Sequence, residues 1–174
     1  MLFNAVLGGM FSSRLNMNLR EDKHYSYGAF SYVVPRIAKG PFLAGAAVEA
    51  KHTQASLQEL LKEFDAIAST PITDDELAAA KQNFTKSLPG NFETVGAMGS
   101  AAESIFLYDL ELTHYSSLPE KIEAVTVADV QRVAQAACKR EGLHVVLVGP
   151  KEFVVAPIEE LKLGDFEERA VPAP

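Results

Sequence analysis

The order in which the periodicities change along this chain constrains its fold more than any other feature. Two stretches rich in aromatic, β-branched and small apolar residues, 25–34 and 42–50, flank a segment, 35–41, that carries turn chemistry at Pro35, Gly40 and Pro41. This predicts two antiparallel strands joined by a loop. Before residue 25, and for some ninety residues after residue 50, the spacing of apolar side chains is helical. A chain built in this order cannot alternate strand and helix as a parallel sheet requires.

Phe11, Leu15 and Leu19 recur every four residues and predict an apolar stripe on an opening helix, which the polar run Glu21-Asp22-Lys23-His24 ends. Thr53 can cap a helix with Leu57, Leu60, Leu61, Phe64 and Ile67 on one face, stopping near Ser69-Thr70-Pro71. Thr73 and Glu76 form a capping box, opening a helix through Leu77, Ala80 and Phe84. After a break at Leu88-Pro89-Gly90-Asn91, Met98, Ala102, Ile105 and Asp109 fall at helical spacing. Pro119 and Thr126 then start two shorter helices, the second carrying Val127, Val130, Val133 and Ala137. The continuous apolar run 143–148 before Gly149-Pro150 predicts a strand buried on both faces.

The expected fold is therefore α+β, an antiparallel-rich sheet with helices packed on one side. Only three or four strands can be counted, so a first strand before residue 1 is expected to be missing. The open sheet edge would invite pairing with another chain or domain, including a second copy as a homodimer. Residues 1–150 form the expected domain. Residues 151–174, weakly patterned and Pro-rich at the end, form an expected weakly structured tail.

With 174 residues, 48% of them hydrophobic, the chain is long enough for one real core. Its net charge of −7 is spread along the sequence, which argues against nucleic acid as a partner. No window approaches the roughly 18 consecutive apolar residues of a membrane span, and the apolar start lacks the basic region of a signal peptide. Cys138 is the single cysteine, so no intrachain disulfide can form, and both periplasm and cytosol stay open.

The residues also restrict the chemistry. His24, His52, His114 and His144 are far apart, and no two have the i, i+4 spacing with which imidazoles on one helix grip a metal. Gly-x-Ser-x-Gly does not occur, and Gly8-Gly9 lacks the lysine and hydroxyl residue of a phosphate loop. Cys138 has cations beside it at Lys139 and Arg140, but it follows Ala136-Ala137 on a helix and belongs to the core. The expectation is a chain that neither binds metal nor cuts peptide bonds by itself.

Two linked segments remain: Leu7-Gly-Gly-Met-Phe-Ser-Ser-Arg-Leu15, and Leu19-Arg-Glu-Asp-Lys-His-Tyr-Ser-Tyr27-Gly28. They resemble the signature of the C-terminal half of the insulinase, or pitrilysin-like, M16 zinc peptidases, in which a Leu-Gly-Gly-x-Phe-x-Ser-Arg-Leu helix leads to Leu-Arg-Glu and then to a tyrosine opening a strand. Arg20 and Tyr27 occupy the arginine and tyrosine positions, seven residues apart. The likeness extends through Gly40-Pro41-Phe42, Thr53-Gln54-Ala55-Ser56, Ile72-Thr73, Glu76-Leu77, and Val125 to Val130 leading to Val146-Leu147-Val148-Gly149, covering residues 2–150. It departs at His24-Tyr25-Ser26, where the family has Gly-Leu-Ala.

The resemblance implies an M16 (LuxS/MPP-like metallohydrolase) fold and a division of labour. Zinc, bound by His-x-x-Glu-His and a distant glutamate, would belong to a homologous N-terminal half or partner subunit, and this chain would bind none. This half would close over a peptide substrate and contribute Arg20 as a clamp on the substrate backbone and Tyr27 as an oxyanion donor. Alternatively, as in members that have lost catalysis, it would persist as a scaffold or peptide-binding subunit. The segment is similar in style to long bacterial envelope members, which implies a periplasmic home. Ser13 and Arg14 are expected to tie the opening helix to neighbouring loops.

Overall fold

The computed structural model describes residues 1–169. Two short helices open the chain: α1, Leu2–Asn4 running on into a π-helical Ala5–Gly9, and α2, Arg14–Asn16 running on into a π-helical Met17–Asp22. Strands β1 (Ser26–Val33) and β2 (Phe42–Val48) follow, then α3 (Thr53–Ser69), α4 (Asp74–Ser87), α5 (Val95–Leu107), α6 (His114–Glu123), α7 (Val127–Ala137) and α8 (Lys151–Leu161). The architecture is α+β, as expected: an antiparallel two-stranded sheet whose helices cover one face.

Alternation along the strands sorts that face. Ala29 and Ser31 are buried, and Phe42, opposite Val33, packs its ring 5.3 Å from Phe3 and 5.9 Å from Phe64. From the helices come Leu7, Leu15, Leu19 and Ile67, each fully buried, with Leu77, Ala80, Val130 and Ala134. Burying a side chain of this size contributes about 1.5–3 kcal/mol. The closest approach between layers is at Gly8, where an added Cβ would lie 2.5 Å from the Ser31 backbone nitrogen. Only glycine lets α1 press this tightly on β1.

Caps anticipated from sequence are present at α4 and α7. The Thr73 hydroxyl accepts from Glu76 N at 3.1 Å while the Glu76 carboxylate accepts from Thr73 N at 2.8 Å, and Thr126 with Asp129 repeats the arrangement.

Several expectations are corrected. Phe11 does not join the stripe of Leu15 and Leu19. The chain leaves the helix after Gly9, Phe11 is exposed, and α2 restarts at Arg14. Pro119 lies inside α6, which begins at His114. Thr53 does not cap α3; its hydroxyl donates to Ala50 O in a 3-10 turn, Ala50–His52, that precedes the helix. Residues 143–148 form no strand and are largely exposed. A doubly buried strand needs a ladder neighbour for its N–H and C=O groups, and no described residue pairs with this run. Within the expected weak tail, residues 151–161 instead form α8, which packs against α3. Residues 170–174 of that tail lie outside the described residues.

Candidate functional site

The last turn of α2 carries Arg20, and the way this helix ends directs the chain towards Tyr27. Lys23 N donates to Asn18 O and Tyr25 N donates to Leu19 O, both at 2.9 Å, while His24 takes a left-handed backbone at φ 56°. That conformation ordinarily selects glycine after a helix. Here the His24 Nδ1 lies 3.0 Å from Arg20 O and helps to hold the turn. The Tyr25 ring stacks on His52 at 4.4 Å, fixing the strand entry against the start of α3.

β1 then begins with an irregular register between Ser26 and Ala29. Ser26 Oγ lies 2.7 Å from both Gly28 O and Ala47 O, either of which can accept its one proton, and it accepts from Gly28 N at 3.0 Å. The Asn16 side-chain carbonyl accepts from Ala29 N at 2.9 Å, so α2 satisfies an edge donor of the strand. Such a bulge re-aims a side chain. Tyr27 points outward and is 98% exposed.

The structure brings Arg20 and Tyr27 to one open groove of about 610 Å3, with Glu21, His24, Tyr25 and Glu49 also on its walls. The Arg20 guanidinium stands 4.7 Å over the Phe11 ring. That displaced aromatic is thus a platform beneath the cation, worth about 0.5–1 kcal/mol at an exposed site. The Arg20 Nε lies 3.4 Å from Glu21 Oε1, longer than a charge-assisted hydrogen bond. The guanidinium therefore keeps donors available towards the groove, and the exposed Tyr27 phenol can donate beside it.

Ser13 and Arg14, from the same motif, serve the scaffold. Ser13 is buried and its hydroxyl accepts from Asn16 Nδ2 at 3.3 Å. Arg14 grips Glu76 through two bonds of 2.7 and 2.8 Å, which holds the carboxyl of Glu76 below its ordinary range. Cys138 is buried, and desolvation, aided by the charge of Asp65, pushes its thiol up to about 12. The neighbouring Arg140 turns away to bind Asp65 at 2.6 and 2.9 Å. Among the described residues, no three His, Cys, Asp or Glu side chains gather as a metal site. His52 is stacked on Tyr25, and His114 lies edge-on to Tyr115.

Motif reading singled out Arg20 and Tyr27, which line one groove, and did not anticipate the roles of Asn16, Phe11 and His24 around them. The contact from Asn16 to Ala29 spans thirteen residues with no local signature. The only sequence sign of the left-handed turn was the histidine standing in place of glycine.

The opening helices, the two-stranded antiparallel sheet and the helices after it form an α+β domain that is similar to known proteins. Residues 1–84 match the model of the family described as Peptidase M16 inactive domain. It is 26% identical over 159 residues to an uncharacterized zinc protease of Streptomyces coelicolor, covering 91% of this chain and 33% of that protein. A second uncharacterized zinc protease, from Bacillus subtilis, is 26% identical over 132 residues, covering 76% of this chain and 32% of the relative. The chain thus spans about a third of the length of these relatives.

Among solved structures, a peptidase M16 inactive domain from Pseudomonas fluorescens superposes with a TM-score of 0.71 at 24% identity, over 78% of this chain and 32% of that one. A putative zinc protease from Bordetella pertussis gives 0.67 at 21% identity, over 80% of this chain and 76% of that one. These likenesses establish the fold.

Proposed function

We propose that this chain is the half of an M16 peptidase that encloses and orients a peptide while a homologous half carries the zinc. Arg20 binds substrate carbonyl oxygens along the peptide backbone, and Tyr27 donates a hydrogen bond to the oxygen that gains charge as the scissile carbonyl becomes tetrahedral. Zinc, held by the other half, would supply the activated water. The observation that supports this reading is the shared groove, lined by a guanidinium held only by a long contact to Glu21 and the Phe11 ring and by a 98% exposed phenol. A donor aimed at a developing oxyanion is worth about 3 kcal/mol of barrier, provided that it is already in place.

The test is peptide cleavage by this chain assembled with its zinc-bearing half. Tyr27→Phe should lower kcat by about a hundredfold, because the lost bond forms in the transition state. Arg20→Ala should chiefly raise KM. An assembled wild-type pair that binds peptides without cleaving them would replace this reading with that of a catalytically inactive scaffold or peptide-binding subunit.

A further inference from the structure

Among the described residues, large apolar side chains on the face of the sheet turned away from the helices are left about half-exposed. Cα partners across an antiparallel pair share a face, so the register Phe30 opposite Gly45 and Tyr32 opposite Leu43 puts these four positions on that side. Phe30 is 47% exposed, Tyr32 46% and Leu43 41%. The rings of Phe30 and Tyr32 stack at 5.7 Å, and Phe30 lies over Gly45, where an added Cβ would stand 3.4 Å from its Cζ. This makes an aromatic shelf on the same strand that carries the exposed Tyr27 at its start.

Charge is distributed unevenly around the shelf. The chain carries −7, yet residues 27–34 and 42–48 contain no charged side chain. The hairpin loop at the far end carries only cations, Arg36 and Lys39, and neither enters an ion pair among the described residues. From Tyr27 to Val33 the strand runs about 20 Å, the length of roughly six extended residues.

We infer that this shelf is an extended subsite for a peptide with a large apolar side chain over Phe30, Tyr32 and Leu43 and a carboxylate reaching Arg36 and Lys39. The inference rests on the proposed function, since it takes Tyr27 as the point where the same peptide meets the reacting centre. It adds the class of substrate, an extended segment with an aromatic or large aliphatic residue three to five positions from the Tyr27 contact and an acidic group beyond it. An uncharged aromatic surface ending in unpaired cations complements such a segment and disfavours a basic one.

The probe is a fluorescein-labelled decapeptide with a central Phe and an Asp pair near one end, compared with versions carrying Ala for Phe or Lys for Asp. Fluorescence anisotropy with the full chain should show the parent binding about tenfold more tightly than either version, as expected for one buried aromatic or one charge-assisted contact. Replacing both exposed rings (F30S with Y32S) should erase the preference for Phe, and Arg36→Glu with Lys39→Glu should reverse the preference for Asp over Lys. Equal affinity for the three peptides, or preferences that survive these changes, overturns the inference. So does a dimer in sedimentation velocity that the F30S/Y32S change abolishes, because the shelf would then belong to a second copy. Tyr27→Phe should leave the binding preferences intact. Retained preferences with cleavage indifferent to Tyr27 would therefore refute the proposed function and not the subsite.

Discussion

Arg14 and Glu76 meet across sixty-two residues in a two-pronged ion pair, and the same Glu76 carboxylate closes the cap of α4 by accepting from Thr73 N. One carboxylate thus joins the start of α2 to the start of α4. Arg14 is the largest cause of the depressed ionisation of Glu76, with the Thr73 backbone assisting. A carboxyl whose folded pKa lies below its ordinary 4.5 contributes stability that is present above the unfolded value and is lost as pH falls through the folded one.

Glu76→Gln should therefore lower the unfolding free energy at pH 7 by about 1–3 kcal/mol, the range for a charge-assisted pair with a residual cap. The variant and the wild type should converge as pH falls below the ordinary carboxyl range. Urea titrations at several pH values measure this, and a difference that persists unchanged at acid pH would show that the pair is not its origin.

His24 is held at φ 56°, where an L-residue costs about 1–2 kcal/mol more than in the right-handed region. Its bond to Arg20 O recovers part of that cost. His24→Gly should raise stability by up to about 1 kcal/mol, read as a shift in the urea midpoint at unchanged slope. Equal or lower stability would mean that the imidazole contact outweighs the backbone strain.

The glycines of the motif are not equivalent to those elsewhere. Gly8→Ala places a Cβ 2.5 Å from Ser31 N and 2.7 Å from its Oγ, and the first of these is backbone that cannot swing aside. It should destabilise by about 1–3 kcal/mol through overpacking. Gly96→Ala in α5, with nothing within 4 Å, should be neutral or stabilising by about 0.5–1 kcal/mol from helix propensity. Thermal unfolding of the two variants side by side separates steric fit from glycine content.

Features written in short-range chemistry were legible in the sequence. The Thr73 and Glu76 cap, the face of Leu57, Leu61, Phe64 and Ile67 and the two strands all depend on residues within one or two turns of each other. What failed depended on distant partners. The 143–148 run has strand composition, but a strand exists only where another backbone pairs with it. Phe11 has the spacing of a core residue but falls where the helix is interrupted, so it meets Arg20 instead of the core. That Arg20 and Tyr27 line one groove was legible for a different reason: they are close in sequence and lie within one motif, whereas Asn16, which bonds Ala29 N, reaches across the helix-strand junction.

Cys138 offers a test of the packing of α7 against α3. Its thiol is buried, and with its pKa pushed up to about 12 almost none of it is thiolate at pH 8. The thiolate is the reactive form, so modification by a disulfide reagent should be slower than in the urea-unfolded chain by a factor of at least about a hundred. The cause of the shift is chiefly desolvation, with the Asp65 charge second. Asp65→Asn removes the smaller of the two causes and should accelerate the reaction modestly, and further if loss of the Arg140 contact also opens the helix end. Opening of the helix end would be read as a further rise in rate together with faster amide exchange at the last turn of α7. A native thiol as reactive as the unfolded one would show that α7 does not seal this side of the core.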